Sequence, residues 1–238
     1  MTSKPVKRSK DYITAFLPCR QGSERVPNKN IRPFGPYKYG LLEIKLKQLL
    51  ACTFIDEIIL STNDDEIISY ASSLINSRLT IHRRAENLST SKTSTDDLII
   101  HAYKLISSGH ILWTHVTSPF VNEATYADIV ASYFDRISCG FDSLMTVTPA
   151  HGFFWNIDRP INYDRDIEKW PRTQTVSPIF EVNSAVFLAS FDIYRDEQDR
   201  IGKSPYLYQL DRFKGYDIDW NEDFLIAEQL LLSNIVSV

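Results

Sequence analysis

The chain has 238 residues, of which 43% are hydrophobic, and its formal net charge is −4 at pH 7. This length and composition suit a single α/β domain with its own hydrophobic core. The acidic excess argues against a nucleic-acid-binding surface, and no apolar run approaches the roughly 18 residues that span a bilayer.

The three cysteines, Cys19, Cys52 and Cys139, are an odd number and lie far apart in the sequence. No Cys-x-x-Cys pair is present, so the pattern indicates neither a disulfide framework nor a structural zinc site. The basic segment 1–10 is not followed by a signal-peptide core. We therefore expect a cytoplasmic protein without membrane or nucleic-acid partners.

A basic loop follows the first expected strand of the chain. Arg20, Arg25 and Lys29 bring three positive charges into ten residues, and Gly22 and Ser23 allow backbone amides to approach an anion. Ligands of open α/β folds bind at the carboxyl ends of the strands. The loop therefore predicts a phosphate-binding site of a nucleotide, with a solvated basic turn as the alternative.

Apolar runs typical of buried strands alternate with helical patterns up to residue 148. The expected strands cover 12–17, 57–62, 79–82, 111–116 and 143–148, and the expected helices cover about 40–52, 64–74, 94–107 and 122–135. This alternation predicts an α/β fold with a mostly parallel sheet flanked by helices. Leu42, Leu46 and Leu49 mark the inward face of the first helix, and Asn122 is the expected N-cap of the fourth.

The segment 149–181 departs from this alternation, because it contains four prolines and three consecutive aromatic residues, Phe153, Phe154 and Trp155. A long aperiodic segment inside a compact domain is usually functional. The alternative is an irregular surface loop that covers one edge of the core. Both interpretations predict an exposed apolar patch on an isolated monomer.

Asp217 and Asp219 lie on alternate positions just before an amphipathic helix expected at 222–232. In an extended segment this spacing puts both carboxylates on one face, where they could hold a divalent cation such as Mg²⁺ together with substrate phosphates. The alternative is that polar residues at this place, Asp223 or Asn221, simply cap the terminal helix.

Together these motifs resemble those of the acylneuraminate cytidylyltransferases, which activate sialic acid and related ulosonic acids as CMP-sugars. The basic loop matches the opening motif of that family at Arg20, Ser23, Arg25, Pro27, Lys29 and Asn30. The strand that ends in Ser61-Thr62-Asn63-Asp64 and the Asp-Ile-Asp segment also match. The resemblance implies a Rossmann-like nucleotidyltransferase fold and the transfer of CMP from CTP to an acidic small-molecule acceptor, with release of pyrophosphate.

The resemblance also implies a role for individual residues. Arg20 and Lys29 would be catalytic, stabilising charge on the reacting phosphates, and Asp217 and Asp219 would hold Mg²⁺. The implied nucleotide-binding residues are Leu17, Pro18, Arg20, Ser23, Arg25, Lys29, Asn30, Arg83, Thr93 and Thr95. The implied acceptor-binding residues are His115, Ser118, Arg172, Asn183 and Phe187. No residue is assigned as the general base, although a near-neutral pKa of His115 would suit proton transfer.

The sequence departs from the family pattern at several positions. Glu24 stands where a basic residue is common, and Glu181 stands where an arginine precedes the family asparagine. Near the family aspartate of the nucleotide segment the chain has Ser91-Lys92, so the register there could differ by one residue, and we expect Arg84 to be a solvated charge. These departures leave the acceptor open among sialic acid, another ulosonic acid, a phosphonate, a phosphorylated small molecule and an unusual polysaccharide sugar.

In the resembled family, the counterpart of segment 149–181 is a hairpin arm that packs against a second subunit. The resemblance therefore implies a homodimer of single cytidylyltransferase domains, each covering residues 1–238. Two other classes of function are weighed against this one. They are a metal-dependent glycosyltransferase, which also uses Asp-x-Asp, and a non-catalytic nucleotide-binding protein derived from the same fold.

Overall fold

The fold was taken from a computed structural model, which describes residues 10–238. Its strands are β1 (Ile13–Cys19), β2 (Glu57–Thr62), β3 (Leu79–Arg83), β4 (His110–Thr114), β5 (Ser143–Ala150), β6 (Ile179–Ser190) and β7 (Pro205–Gln209). Its α-helices are α1 (Gly40–Ala51), α2 (Asp65–Ser73), α3 (Thr95–Leu105), α4 (Glu123–Ser138), α5 (Phe191–Asp196) and α6 (Asn221–Leu232). Residues 1–9, which hold most of the basic segment considered above, lie outside the described residues.

All seven strands belong to one sheet in the order β3-β2-β1-β4-β6-β5-β7. Strands β3, β2, β1 and β4 run parallel to one another, and β5 runs parallel to β7. Strand β6 runs antiparallel to both of its neighbours, β4 and β5. The expectation of a mostly parallel α/β sheet flanked by helices is therefore confirmed.

Two buried clusters cover the two faces of the sheet. Successive side chains of β1 alternate between them, because Ala15 and Leu17 belong to the larger cluster and Phe16 belongs to the smaller one. Helices α1, α2, α4 and α6 contribute to the larger cluster, whereas α3 and α5 contribute to the smaller. The chain thus forms three layers, and the carboxyl ends of the parallel strands meet at one edge of the sheet.

Side-chain caps explain where several helices begin. Asp64 accepts hydrogen bonds from the backbone of the first turn of α2, and Ser94 forms a capping box with Asp97 at the start of α3. The side chain of Asn122 accepts from the Thr125 amide at 3.0 Å, which confirms it as the N-cap of α4. The predicted inward leucines of α1 are all buried.

The turn into α1 requires a glycine. Gly40 has a φ of +52°, and a Cβ atom at this position would lie 1.9 Å from the carbonyl oxygen of Arg32. Any side chain would therefore force the backbone apart. This close contact fixes the path by which the chain returns from the basic loop to the sheet.

Strand β6, helix α5 and strand β7 were not predicted from the sequence. β6 begins with the half-buried Ile179 and Phe180, its Glu181 and Val182 are exposed, and it is mostly buried from Asn183 onward. Its pairing with β5 shifts register between Met145 and Val147, and Ser184 has a φ of +57°. The irregularity interrupts the two-residue alternation by which a strand is recognised in a sequence.

The predicted excursion leaves the sheet between two antiparallel strands. Ala150 of β5 pairs with Ile179 of β6, so residues 151–178 form the connection between them. Trp155 and Trp170 are 46% and 62% exposed, and Ile157 is 99% exposed. The expected exposed apolar patch is confirmed. Within residues 10–238, no helix is long and apolar enough to cross a membrane.

Candidate active site

A cavity of about 390 Å³ lies between the basic loop after β1 and the segment after β4. We call it the loop cavity. It is lined by Pro18, Arg20, Ser23, Glu24, Arg25, Lys29, Asn30, Ser91, His115, Val116 and Thr117. It brings together six of the predicted nucleotide-binding residues and one predicted acceptor-binding residue, His115. Leu17 lies behind it, with its side chain fully buried in β1.

The basic loop is folded back on itself by its own hydrogen bonds. The Arg20 guanidinium donates to the Gly22 carbonyl at 2.8 Å, and the Asn30 amide donates to the Arg20 carbonyl at 3.0 Å. Asn63, at the end of β2, accepts from the Gln21 amide at 2.9 Å. These bonds hold the loop cations in place before any ligand arrives, which is the preorganisation that electrostatic stabilisation requires.

The basic loop contacts the Asp-Ile-Asp segment directly. A guanidinium nitrogen of Arg25 lies 2.9 Å from Oδ1 of Asp219, and the Lys29 ammonium lies 4.0 Å from the same oxygen. Lys29 also donates to the Ile218 carbonyl at 2.7 Å. Burial lowers the pKa of Lys29, while the charges of Asp219 and Asp217 act in the opposite direction. The basic loop and the Asp-Ile-Asp segment therefore form one site.

Asp217 carries a feature that suits a cation ligand. Its Oδ1 atom is buried and has no hydrogen-bond partner among residues 10–238. Burial raises the pKa of this carboxyl group, and a hydrogen bond from the Thr117 side chain lowers it in part. A buried carboxylate oxygen without a hydrogen-bond partner lowers the stability of the fold, and a bound cation would remove that free-energy cost.

The helix-capping alternative applies to a different residue. Oδ2 of Asp223 accepts from the backbone amides of Asp219 and Trp220 at 3.0 and 2.8 Å, and thereby caps α6. Asp217 and Asp219 are not needed for this cap. In the described part of the chain no group of three or more His, Cys, Asp and Glu side chains is arranged to hold a metal. Two carboxylates suffice for Mg²⁺ when substrate phosphates complete its shell, so the residues present fit this ion.

His115 does not have the near-neutral pKa that we expected from its sequence position. Burial, followed by the positive charges of Arg200, Lys29 and Lys45, lowers its pKa to about 3. The indole Nε1 of Trp113 donates to Nε2 of His115 at 2.9 Å. A protonated imidazole would oppose this N–H group with another N–H, so the ring is held neutral and is unsuited to proton transfer near pH 7.

A second cavity, of about 860 Å³, lies on the other side of the Arg25–Asp219 ion pair, and we call it the β6 cavity. It contains the predicted residues Asn183, Asp217 and Asp219. The unpredicted polar residues that line it include Glu181, Ser184, Arg212, Tyr216 and Asp223. The Asn183 amide donates to Thr148 Oγ1 at 3.0 Å, and its Oδ1 accepts from Thr146 Oγ1 at 2.7 Å.

The segment after β3 differs most from expectation. Arg83 is exposed and forms an ion pair with Asp65 at the start of α2. Arg84, which we expected to be solvated, is only 2% exposed, so that expectation is wrong. The Arg84 amide donates to the Thr62 carbonyl, which turns its side chain into the protein. Ser91 reaches the loop cavity instead of the predicted Thr93, whose hydroxyl bonds within its own turn at Thr90.

The remaining predicted residues lie outside the linings of the two cavities. Thr95 is an exposed residue in the first turn of α3, and Arg172 is exposed on the excursion. Ser118 is buried, and its hydroxyl has no hydrogen-bond partner among residues 10–238. Phe187 lies in the core, where the Arg200 guanidinium packs 3.8 Å from the centre of its ring.

Sequence reasoning missed a fully buried lysine beside the site. Lys45 donates to the Ser118 carbonyl at 2.8 Å and to the Tyr126 hydroxyl at 2.9 Å. Burial lowers its pKa well below the usual value. Lys45 thereby anchors the turn that follows β4 and carries His115.

Comparison with known proteins places these features in a family. Residues 14–231 match the sequence model of the cytidylyltransferases. The N-acylneuraminate cytidylyltransferase of Escherichia coli O18:K1:H7 is 25% identical over 225 residues, which cover 90% of this chain and 51% of the relative. The pseudaminic acid cytidylyltransferase of Campylobacter jejuni is 30% identical over 126 residues, which cover 51% of each chain. The chain thus spans about half the length of the curated relatives it matches.

Solved structures with the same fold were also found. The CMP:2-keto-3-deoxy-manno-octonic acid synthetase, solved in complex with CTP, superposes with a TM-score of 0.66 at 11% identity, covering 94% of this chain and 99% of the other. The 4-diphosphocytidyl-2C-methyl-D-erythritol synthase of Anaerococcus prevotii superposes with a TM-score of 0.63 at 14% identity, covering 94% and 100%. At these identities the similarity establishes the Rossmann-like nucleotidyltransferase fold alone.

Proposed function

This chain belongs to the cytidylyltransferase family, and from that premise we propose that it transfers CMP from CTP to an acidic sugar and releases pyrophosphate. The acceptor class is a sialic acid or a related ulosonic acid, as the names of two relatives suggest. The observation that carries the proposal is the contact between the basic loop and the Asp-Ile-Asp segment. Arg25 and Lys29 of the basic loop lie 2.9 and 4.0 Å from the carboxylate of Asp219.

The loop cavity is the proposed CTP site. Arg20, Arg25 and Lys29 supply positive charge around a space whose loop is already held by internal hydrogen bonds. Arg20 and Lys29 stabilise the charge that develops on the phosphates as pyrophosphate departs. Ser23 and Asn30 line the same space and can complete the hydrogen bonds to phosphate oxygens.

Arg84 is a better candidate than Arg83 for the nucleotide contact after β3. Its side chain is buried beside the end of β1, where burial and the positive charge of Arg20 lower its pKa. Its Nε donates to Ser89 Oγ at 3.2 Å, and no protein hydrogen bond to the terminal guanidinium nitrogens is found among residues 10–238. We therefore propose that those nitrogens donate to a nucleotide oxygen.

Asp217 and Asp219 would hold Mg²⁺ at the junction of the two cavities, with the orphaned Oδ1 of Asp217 as the supporting observation. When bound there, the ion would neutralise phosphate charge. The Asp219 carboxylate is paired with the Arg25 guanidinium, so this ion pair has to open before the carboxylate can bind a metal cation.

The reaction itself is an in-line displacement at the α-phosphorus. The acceptor hydroxyl oxygen forms the new bond to phosphorus and loses its proton, while the bond to the bridging oxygen breaks and pyrophosphate leaves. Asn183 lines the β6 cavity and His115 lines the loop cavity, and both are proposed to orient the acceptor where it extends between the two cavities, His115 as a neutral ring. No side chain is assigned as the general base, so the proton is proposed to leave to solvent water.

The β6 cavity is the proposed acceptor site. Its arginine, Arg212, supplies the positive charge that Glu181 does not, since Glu181 stands where the family has an arginine. A guanidinium of this kind can pair with a sugar carboxylate through two hydrogen bonds. Arg172 lies outside this cavity and is proposed to act only from the arm of a second subunit.

We further propose that one cytidylyltransferase domain, with 149–181 as its arm, forms a homodimer in the cytoplasm. The exposed apolar side chains of the arm support the dimer, since Trp155, Ile157 and Trp170 remain 46%, 99% and 62% exposed in the monomer. Free cysteines at positions 19, 52 and 139 agree with a reducing compartment.

Pyrophosphate release tests this function directly. Each of the four nucleoside triphosphates is incubated with Mg²⁺ and, in turn, with sialic, pseudaminic or deoxyoctulosonic acid. We expect CTP to release pyrophosphate with one of the three sugar acids. Lys29→Met and Arg20→Ala should lower turnover by about a hundredfold or more, because each removes a preorganised charge. Lys47→Met is the matched control, since Lys47 is exposed and lines neither cavity, and its contacts are an ion pair with Glu43 and the ring of Tyr37. Release from no nucleotide, or full activity in both variants, would contradict the proposal.

A further inference from the structure

The imidazole of His115 is the part of the loop cavity whose chemistry the structure defines most closely. Indole Nε1 of Trp113 is a donor only, and it lies 2.9 Å from Nε2 of His115. Nε2 must therefore accept, and the single proton of the neutral ring must reside on Nδ1. No other protein hydrogen bond to this ring is found in residues 10–238.

The position of Nδ1 follows from the same geometry. It is not one of the fully buried polar atoms that lack a partner, and His115 lines the loop cavity. Because Nδ1 is not fully buried and the ring lines this cavity, we place the Nδ1–H group toward the cavity that Arg20 and Lys29 also line. A neutral donor placed beside cations suits an oxygen acceptor and cannot bind a metal ion, because its only free nitrogen carries a proton.

The surroundings keep the ring in this state. Trp113 is buried between Phe16, whose ring centre is 4.9 Å away, and the guanidinium of Arg200, which lies 5.2 Å from the indole. The charges that act on the imidazole are those of Arg200 from the loop after α5, Lys29 from the basic loop and Lys45 from α1. All three are positive, so they oppose the formation of an imidazolium ion.

We infer that Trp113 is a positioning residue that fixes His115 as a neutral Nδ1–H donor, and that this donor binds an anionic oxygen of the ligand in the loop cavity. The oxygen belongs either to a nucleotide phosphate or to the acceptor carboxylate. The inference on the ligand rests on the proposed function, whereas the state of the ring does not.

The ring state is tested by two-dimensional ¹⁵N–¹H spectroscopy of the histidine side chains, with His115 assigned by loss of its signals in His115→Gln. His110 is an internal reference for the opposite tautomer, because its Nε2 faces the carbonyl of Lys10 at 2.7 Å and must donate. His115 should show the Nδ1–H pattern between pH 8 and pH 5. An Nε2–H pattern, or an imidazolium in that range, overturns the inference whatever the activity of the protein.

Two variants separate the hydrogen bond from packing. Trp113→Phe removes the indole N–H and should release His115 to the Nε2–H form, with titration at a higher pH. Phe16→Leu disturbs the same hydrophobic cluster but keeps the indole, so His115 should remain neutral with its proton on Nδ1. If Trp113→Phe does not fold, the wild-type spectrum still decides the state of the ring. Equal spectra for both folded variants contradict the role of Trp113.

The ligand contact is tested by calorimetric titration with CTP and, separately, with N-acetylneuraminic acid. His115→Phe should weaken one of the two ligands about tenfold or more, and His115→Gln should recover most of that loss because its amide also donates. Weakened CTP indicates a phosphate contact, and weakened sugar acid indicates the carboxylate. Unchanged binding of both ligands overturns the contact, and it does so whether or not the protein releases pyrophosphate.

Discussion

Replacing Asp217 by Asn tests the cation site through stability as well as activity. Without a metal, the wild-type protein keeps a buried carboxylate oxygen that has no partner. The amide has nearly the same shape but no charge, so the variant should be more stable in chelator. In Mg²⁺ the order should reverse, because only the carboxylate gains a strong ligand.

The magnitudes follow from the cost of such an atom. An unsatisfied buried polar group costs about 1–3 kcal/mol, and we expect Asp217→Asn to recover about 1 kcal/mol of it. For a chain of this size that gain corresponds to a rise of about 2–4 °C in Tm. Excess Mg²⁺, at about a hundredfold its Kd, should stabilise the wild type by about 2.7 kcal/mol and leave the variant almost unchanged.

Calorimetric unfolding is the assay, with CTP present throughout and either Mg²⁺ or a chelator added. Asp135→Asn is the matched control, since Asp135 is exposed on α4, lines neither cavity, and has Arg136 as its ion-pair partner among residues 10–238. It should respond to Mg²⁺ as the wild type does. A lower Tm for Asp217→Asn in chelator, or an undiminished response to Mg²⁺, would refute the assignment of the orphaned oxygen to a cation.

Three other predictions concern the rest of the molecule. Ser184→Gly should raise the free energy of unfolding by about 1 kcal/mol in urea titrations, because a φ of +57° strains any residue with a Cβ atom; an unchanged midpoint would contradict the strain. Burial lowers the pKa of His101 to about 4 from 6.5, so the folded state resists protonation and stability should fall as the pH drops from 6.5 towards 4. His101→Gln should reduce the dependence of the free energy of unfolding on pH in this range. A pH dependence equal to that of the wild type would argue against His101 as its source. Ile157→Asp combined with Ile167→Asp should convert dimers to monomers in sedimentation velocity, because both side chains are at least 85% exposed and the aspartates would bring charge into the proposed interface; a monomeric wild type would remove the basis for the dimer.

The sequence was sufficient for the parts of the fold that follow a regular period. The strands β1 and β2, the helix α1 and the cap Asn122 were all recognised because apolar spacing and capping chemistry are local properties. Residues that gather in the loop cavity could also be named, since Arg20 and Lys29 lie in one short motif.

What the sequence did not reveal depends on contacts between distant segments. Lys45 lies on the same helical stripe as Leu42 and Leu49, which was a signal that its amine enters the core, but its carbonyl partner Ser118 is set by the tertiary fold. The choice between Arg83 and Arg84 was similar. The end of a strand decides which side chain turns inward, and strand ends are the least certain feature of any sequence pattern.

The ion pair between Arg25 and Asp219 has a further consequence for how ligands bind. Both side chains are 48% exposed, so opening the pair costs only about 0.2–1 kcal/mol. A cation that takes Asp219 releases the Arg25 guanidinium into the loop cavity, where phosphates can accept it. If CTP and the cation bind as proposed, each therefore frees the side chain that the other ligand needs, so each strengthens the binding of the other. By thermodynamic linkage, the factor by which Mg²⁺ tightens CTP must equal the factor by which CTP tightens Mg²⁺.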